Sequence, residues 1–272
     1  GYIFARGGTG RGDSCRANTD NRGSGGTLRL FNVNNLVGPM PDASPGGLGA
    51  CNSGVYSKSE IYAKKILVNA TERFLIAGLV NATNITIEGI LGPMNNSEKF
   101  HNQSMNNKFN FTGQQGGANL TIVADVLNLT GVIHGKARNI PGSFTIFAPK
   151  GAFINITANT FYFEGNITVD GGDNSAPGVS GTTGSGGDAG TLILDIKNSF
   201  DINGYIFARG GAGRIDSCRT DISLVTGHRG SGGIIKIKNA NVITALPDAS
   251  PGEFGNCHNG KYRDSEIYAK KV

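Results

Sequence analysis

The chain has 272 residues, of which 38% are hydrophobic and 17% charged, enough apolar material to bury a core in an elongated all-β or repetitive body. Its net charge of +5 comes from 25 basic and 20 acidic residues scattered singly among glycines, so the basic stripe interleaved with aromatics that marks a nucleic-acid binder is missing. The 43 glycines have no three-residue period, which excludes collagen, and the Val, Ile, Leu and Phe runs beside them exclude disorder.

In chain order the first element is the stretch 1–65, because the chain writes it twice. Gly1–Arg16 (GYIFARGGTGRGDSCR) returns as Gly204–Arg219 (GYIFARGGAGRIDSCR) with 14 of 16 positions identical. Arg22–Gly26 returns as Arg229–Gly233, Pro41–Gly46 as Pro247–Gly252 and Ser59–Lys65 as Ser265–Lys271. The offset drifts from 203 to 207 and back to 206, so small insertions sit between these landmarks, in loops. A long period of this kind is the signature of an array whose units stack on their neighbours. One continuous body over 1–272 is therefore expected, with 1–65 and 204–271 as equivalent copies and 66–203 as the remainder of the repeat. The chain opens inside the repeat and stops at Val272, where the first copy continues with Ile66. Both ends read as cuts in a longer polypeptide, so missing targeting signals carry no meaning. No run of 18 apolar residues is present to span a membrane.

The cysteines form two equivalent pairs, Cys15 with Cys51 and Cys218 with Cys257, one in each copy. Two disulfides within the copies are the economical reading, and they imply an extracellular, oxidising setting. Each would close a loop of about one coil and contribute roughly 4 kcal/mol through chain entropy. Zinc fits worse, because neither pair has close ligand spacing and only His258 lies beside a cysteine.

Between the copies one template recurs three times: Gly117–Gly131, Gly151–Gly165 and Gly190–Gly204, each running 14 residues from glycine to glycine and then into a further apolar alternation. Gly26–Leu30 and Gly233–Ile237 open the same template, and Lys64–Gly78 is a looser version. Apolar and polar residues alternate with period two, as in Leu120 and Ile122 against Asn119 and Thr121, in stretches too short for helices. Short strands with glycine at every turn are expected. Starting glycines at 117, 151, 190 and 233 give steps of 34, 39 and 43, the variation falling in loops such as Gly171–Gly187. No Asn-Gly hairpin joins adjacent strands, so successive coils fit better than a meander. At about 40 residues per coil the repeat would hold five or six coils; a β-propeller is the competing fold.

This pattern resembles the pectate-lyase-like right-handed parallel β-helices, in particular glycine-rich forms of secreted and cell-surface proteins. The resemblance implies an all-β solenoid that stacks coil upon coil, and it is one of pattern over nearly the whole chain.

Asn-x-Ser/Thr sequons stand at Asn69, Asn81, Asn84, Asn95, Asn102, Asn110, Asn119, Asn128, Asn155 and Asn166. Ten of the 15 asparagines between 69 and 166 are sequons and none of the 13 elsewhere is, a segregation that chance does not produce. In a strand such as Asn155-Ile156-Thr157 the period of two sends Asn and Thr outward and Ile inward, as a glycan acceptor on a packed coil requires. The competing reading is that outward Asn and Thr serve ladder hydrogen bonds. In the frame that points Asn166 and Thr168 outward, the aligned residues of the copied segment are Tyr205 and Phe207, equivalent to Tyr2 and Phe4. Outward aromatics call for a partner; a sugar-free contact between filament strands is expected there, or else cover from the 7–22 loop.

Other motifs are weaker. Arg11-Gly12-Asp13 spells an adhesion tripeptide, but its copy reads Arg214-Ile215-Asp216. The 7–13 glycine stretch departs from calcium-binding nonapeptide spacing, and Asp170, Asp173 and Asp188 lack a ligand pattern, so no metal or cofactor is expected. Catalysis in this architecture would need clustered aspartates or two carboxylates across a glycosidic bond. Asn18-Thr19-Asp20 and Thr226-Gly227-His228 are fragments on which the copies disagree. The expectation is therefore a structural protein, not an enzyme: an extracellular, N-glycosylated, tandem-repeat filament or surface appendage, similar in design to subunits of glycosylated surface filaments and self-associating or built of tandem copies. The alternatives are an adhesin stalk and a carbohydrate-active β-helix enzyme.

Overall fold

The computed structural model describes residues 3–7, 24–45, 56–93, 118–137, 139, 148–173, 185–213, 229–252 and 260–271. These residues form strands and connections, with no helix among them. In chain order the strands are β1 (Arg29–Val37), β2 (Lys58–Val68), β3 (Arg73–Leu75), β4 (Ala77–Ile87), β5 (Ile90–Gly92), β6 (Asn119–Leu129), β7 (Val132–His134), β8 (Phe153–Phe163), β9 (Asn166–Thr168), β10 (Thr191–Ile202), β11 (Tyr205–Phe207), β12 (Ile234–Ile243) and β13 (Glu266–Lys271).

The long strands make one eight-stranded sheet in the order β1-β2-β4-β6-β8-β10-β12-β13, and the short ones a five-stranded sheet in the order β11-β9-β7-β5-β3. Every pairing between these strands is parallel. From β2 to β12 the chain visits the two sheets in alternation. That arrangement is compatible with a parallel β-helix, and it removes the propeller, whose blades need antiparallel neighbours.

The core follows from the alternation. Ile61, Val80, Ile122, Ile156, Leu194 and Ile237 pair in register from strand to strand as one inward column, and all six are fully buried. Each side chain so buried contributes about 1.5–3 kcal/mol. A second column is nearly all alanine, with Ala63, Ala82, Ala124 and Ala158 paired in turn. Near the far end of the strands Phe161 stacks on Phe163 at 5.2 Å and on Phe200 at 5.5 Å between ring centroids.

The long strands are not simple alternations. In β4 Thr83 and Asn84 are both exposed, and burial then resumes at Ile85. A pleat sends successive side chains to opposite sides, so this pair marks a bend that joins two period-two halves. Apart from the six-residue β13, these strands run to nine to twelve residues, longer than the short strands expected from the sequence, because the bend hides their continuity.

Glycine sits where backbones nearly touch. Gly131, Gly165 and Gly204 occupy the two-residue turn between a long and a short strand. A Cβ on Gly165 would lie 2.1 Å from the Gly131 carbonyl oxygen, and one on Gly204 1.9 Å from that of Gly165. No side chain fits, which is why the template ends on glycine.

A second glycine-rich zone, outside both sheets, is zipped by backbone hydrogen bonds. The Gly172 N–H donates to Pro149, Gly187 to Gly172, Gly211 to Gly187, Gly230 to Gly211 and Gly252 to Gly230, at 2.8–3.0 Å. The described residues of these glycine-rich connections thus satisfy one another's backbone polar groups.

The two copied stretches make the same bonds. Phe4 bridges Asp42 as Phe207 bridges Asp248. The Ser59 hydroxyl accepts the Leu28 N–H at 3.0 Å, as Ser265 accepts that of Ile235 at 3.1 Å. Asn32 and Asn239, 207 positions apart, both hold positive φ, 59° and 63°, a conformation asparagine tolerates. The register of β1 on β2, and of β12 on β13, slips at these residues.

Two expectations about spacing are corrected. Lys64–Gly78 is not a template: it spans the end of β2, all of β3 and the start of β4. The true counterpart starts at Ala77, where no leading glycine announces it, and β4 follows β2 after only 19 positions, Lys58 pairing with Ala77. Six pairings therefore separate β1 from β12, a rise of roughly 29 Å at about 4.8 Å per strand.

Candidate glycan-bearing and contact surface

Cys15, Cys51, Cys218 and Cys257 lie outside the described residues, as do Asn95, Asn102, Asn110, Tyr2, the 11–13 tripeptide and the 18–20 and 226–228 fragments. The remaining sequons fall on or beside strands: Asn69 just after β2, Asn81 and Asn84 in β4, Asn119 and Asn128 in β6, Asn155 in β8 and Asn166 at the start of β9. Each of these asparagines is half-buried or exposed. In the six sequons on strands the middle residues Ala82, Ile85, Leu120, Leu129, Ile156 and Ile167 are buried, whereas Ala70, past the end of β2, is exposed. The pleat therefore turns the acceptor outward by burying the residue beside it.

Side-chain amides that ladder to a neighbouring strand come from other asparagines. Asn159 donates to Asp125 at 2.9 Å, Asn198 to Thr160 at 3.2 Å and Asn241 to Asp201 at 3.0 Å, and none of the three is a sequon.

The expected contact residues are outward. Phe4 is 61% exposed and Tyr205 57%, while Phe207 is half-buried. The Tyr205 and Phe207 rings stack with centroids 6.0 Å apart and planes within 3°. Arg209 lies over Phe207 at 4.4 Å, as Arg6 lies over Phe4 at 5.6 Å. These pairs are cation–π contacts, repeated in the two copies.

Register places sequons and aromatics side by side. Asn166 pairs with Tyr205 and Thr168 with Phe207. Asn119 pairs with Phe153 and Asn128 with Tyr162 across β6 and β8. Asn81 neighbours Tyr62 on β2. Phe153 is 36% exposed and Tyr162 59%. The last of these neighbourhoods on β8 were not recognised from the sequence, although the 34-residue step between Gly117 and Gly151 already contains them.

Comparison with protein-family models, curated proteins and solved structures gave no match. Function is therefore argued from this chain's own residues.

The acidic residues that drew attention in the sequence are engaged by neighbours. Asp170, buried, accepts the Arg209 backbone N–H at 2.7 Å and its Nη2–H at 2.9 Å. That hydrogen bond, outweighing the cost of burial, raises the Arg209 pKa above its usual value. Asp173 accepts the Ala212 N–H at 2.8 Å, and Asp188 accepts the Ser231 N–H at 2.8 Å and pairs with Arg263. These carboxylates clip one pass of the chain to the next. Among the described residues no three His, Cys, Asp or Glu converge as a metal site. His134 in β7 has its pKa lowered, first by burial and further by Lys136 and Arg73, against the opposing pull of Asp170.

Proposed function

We propose that the chain is a structural segment of an extracellular, N-glycosylated filament, built from tandem copies of a right-handed parallel β-helix repeat of about 205 residues. The observation that carries this reading is that the sequon asparagines on the strands all face outward, on strands that are all parallel and packed by their intervening apolar residues. The agreement of backbone and side-chain bonds between the two copied stretches supports the tandem repeat.

The work of such a segment is mechanical. Parallel ladders run the length of the body, each coil covers the edge of the last, and no exposed edge is left along the shaft to recruit stray strands. Glycans on the sides would keep the shaft soluble, and disulfides Cys15–Cys51 and Cys218–Cys257 would pin the large loops of each copy.

The test is electron cryo-microscopy of native material, joined to non-reducing peptide mapping. Filaments with an axial spacing of about 4.8 Å, branched density on the sequon asparagines and the two cysteine pairs are expected. Compact separate particles with bare asparagines would overturn the reading.

A further inference from the structure

We propose that Phe153, Tyr162 and Tyr205 are seats on which the first sugars of glycans at Asn119, Asn128 and Asn166 lie. The inference rests on the glycoprotein reading above and adds to it a specific non-covalent site for each of three sugars.

The argument begins with register. Each aromatic is the in-register neighbour of a sequon asparagine on the adjoining parallel strand, so the two side chains leave the same face about 4.8 Å apart. A sugar on the asparagine amide starts at the height of the neighbouring ring. A pyranose presents an apolar face of C–H groups, and an aromatic face carries negative quadrupole charge, so the two stack.

Two further observations favour an occupant. Phe153 has no polar atom to place in water, yet it stands on the outer face of the sheet at 36% exposure. The rings of Tyr205 and Phe207 are parallel within 3° and stack, and Arg209 backs Phe207 at 4.4 Å. That stack holds the Tyr205 ring in place beside Asn166 rather than leaving a loose side chain. The laddering amides on these faces belong to asparagines outside sequons, which leaves the sequon amides to the glycan.

The same sheet supplies controls. Asn155 is flanked by Thr121 and Ile193, and Asn84 by Lys65 and Val126, with no aromatic on either side. Sugars there would extend freely. The assignment also redirects Tyr205 and Phe207 from the sugar-free filament contact expected from sequence. A sugar at Asn166 would stand between those rings and any neighbouring filament, so the two uses exclude each other.

The experiment uses the full chain secreted from a glycosylating host, with glycopeptide mass spectrometry for occupancy and carbon–proton NMR of isotope-labelled sugars. Ring currents should shift the first-sugar protons at Asn119, Asn128 and Asn166 upfield relative to those at Asn155 and Asn84. Tyr205→Leu should abolish the shift at Asn166 alone. Enzymatic removal of the glycans should lower the folding equilibrium constant about two- to tenfold for each occupied seat, and by less in the triple variant Phe153→Leu, Tyr162→Leu, Tyr205→Leu. Bare asparagines at all three positions would overturn the glycoprotein reading and this inference together. Occupied asparagines whose sugar protons are unshifted, or unchanged by Tyr205→Leu, would overturn the seats and leave the glycoprotein reading standing. If Tyr205→Leu is not secreted, Tyr162→Leu read at Asn128 decides the matter in the same way.

Discussion

The pair Asp170 and Arg209 should respond unequally to truncation, because its partners are unequally buried. The Asp170 side chain is 4% exposed and that of Arg209 45%. Asp170→Ala frees a guanidinium that water can take over, and leaves the Arg209 backbone N–H without its acceptor, a loss of about 1–3 kcal/mol. Arg209→Ala strips the cation from a carboxylate that water reaches poorly. Breaking a buried pair in that sense costs about 3–5 kcal/mol, and the exposed half of this one argues for the low end. Loss of the ring contact on Phe207 adds about 0.5–1 kcal/mol. The expected order is thus Arg209→Ala worse than Asp170→Ala by about 1 kcal/mol or more, with the double variant well short of additive. Urea titration followed by far-ultraviolet circular dichroism measures all four forms. An Arg209→Ala protein no weaker than Asp170→Ala, or strict additivity, would refute the argument that desolvation of the carboxylate dominates.

Gly165→Ala should prevent recovery of folded protein, since its Cβ would lie 2.1 Å from a backbone oxygen that cannot swing away. Gly38→Ala, in open space at φ +94°, should cost only about 1–2 kcal/mol of backbone strain; equal yields of the two variants would contradict the turn ladder. His134 gives a pH dependence of definite sign. Its folded pKa is below 6.5, so above pH 6.5 neither state binds the proton, and as pH falls the unfolded chain takes it up first. The urea midpoint should therefore fall as the pH drops below about 6.5, and that fall should flatten in His134→Gln; a steeper fall in the variant would reverse the assignment.

Much of the fold was legible because it is local. Leu120 and Ile122 alternate with Asn119 and Thr121, and only the apolar set is buried. The 14-residue glycine spacing marks a long strand plus a turn, since the turn admits no Cβ. The outward aim of Asn155 and Asn166 follows from the same pleat. The bend at Thr83 and Asn84 was not legible: two polar residues in succession read as the end of a strand, and only packing on both sides shows the strand continuing. The glycine zip from Pro149 to Gly252 was also hidden, because its partners come from four different connections between strands and obey no sequence period.

By itself the sequence determined that short-period strands repeat, that 1–65 and 204–271 are copies, and which asparagines stand in sequons, since each of these depends on residues within a few positions or on identity at a fixed offset. Only the tertiary structure decided the cross-strand neighbours that the glycine steps do not announce. Tyr62 meets Asn81 and Lys65 meets Asn84 after only 19 residues, because the connection from β2 to β4 is far shorter than the 34- to 43-residue steps of the template. Cross-strand contact is a property of register, and register is fixed when the apolar columns of all the paired strands align at once.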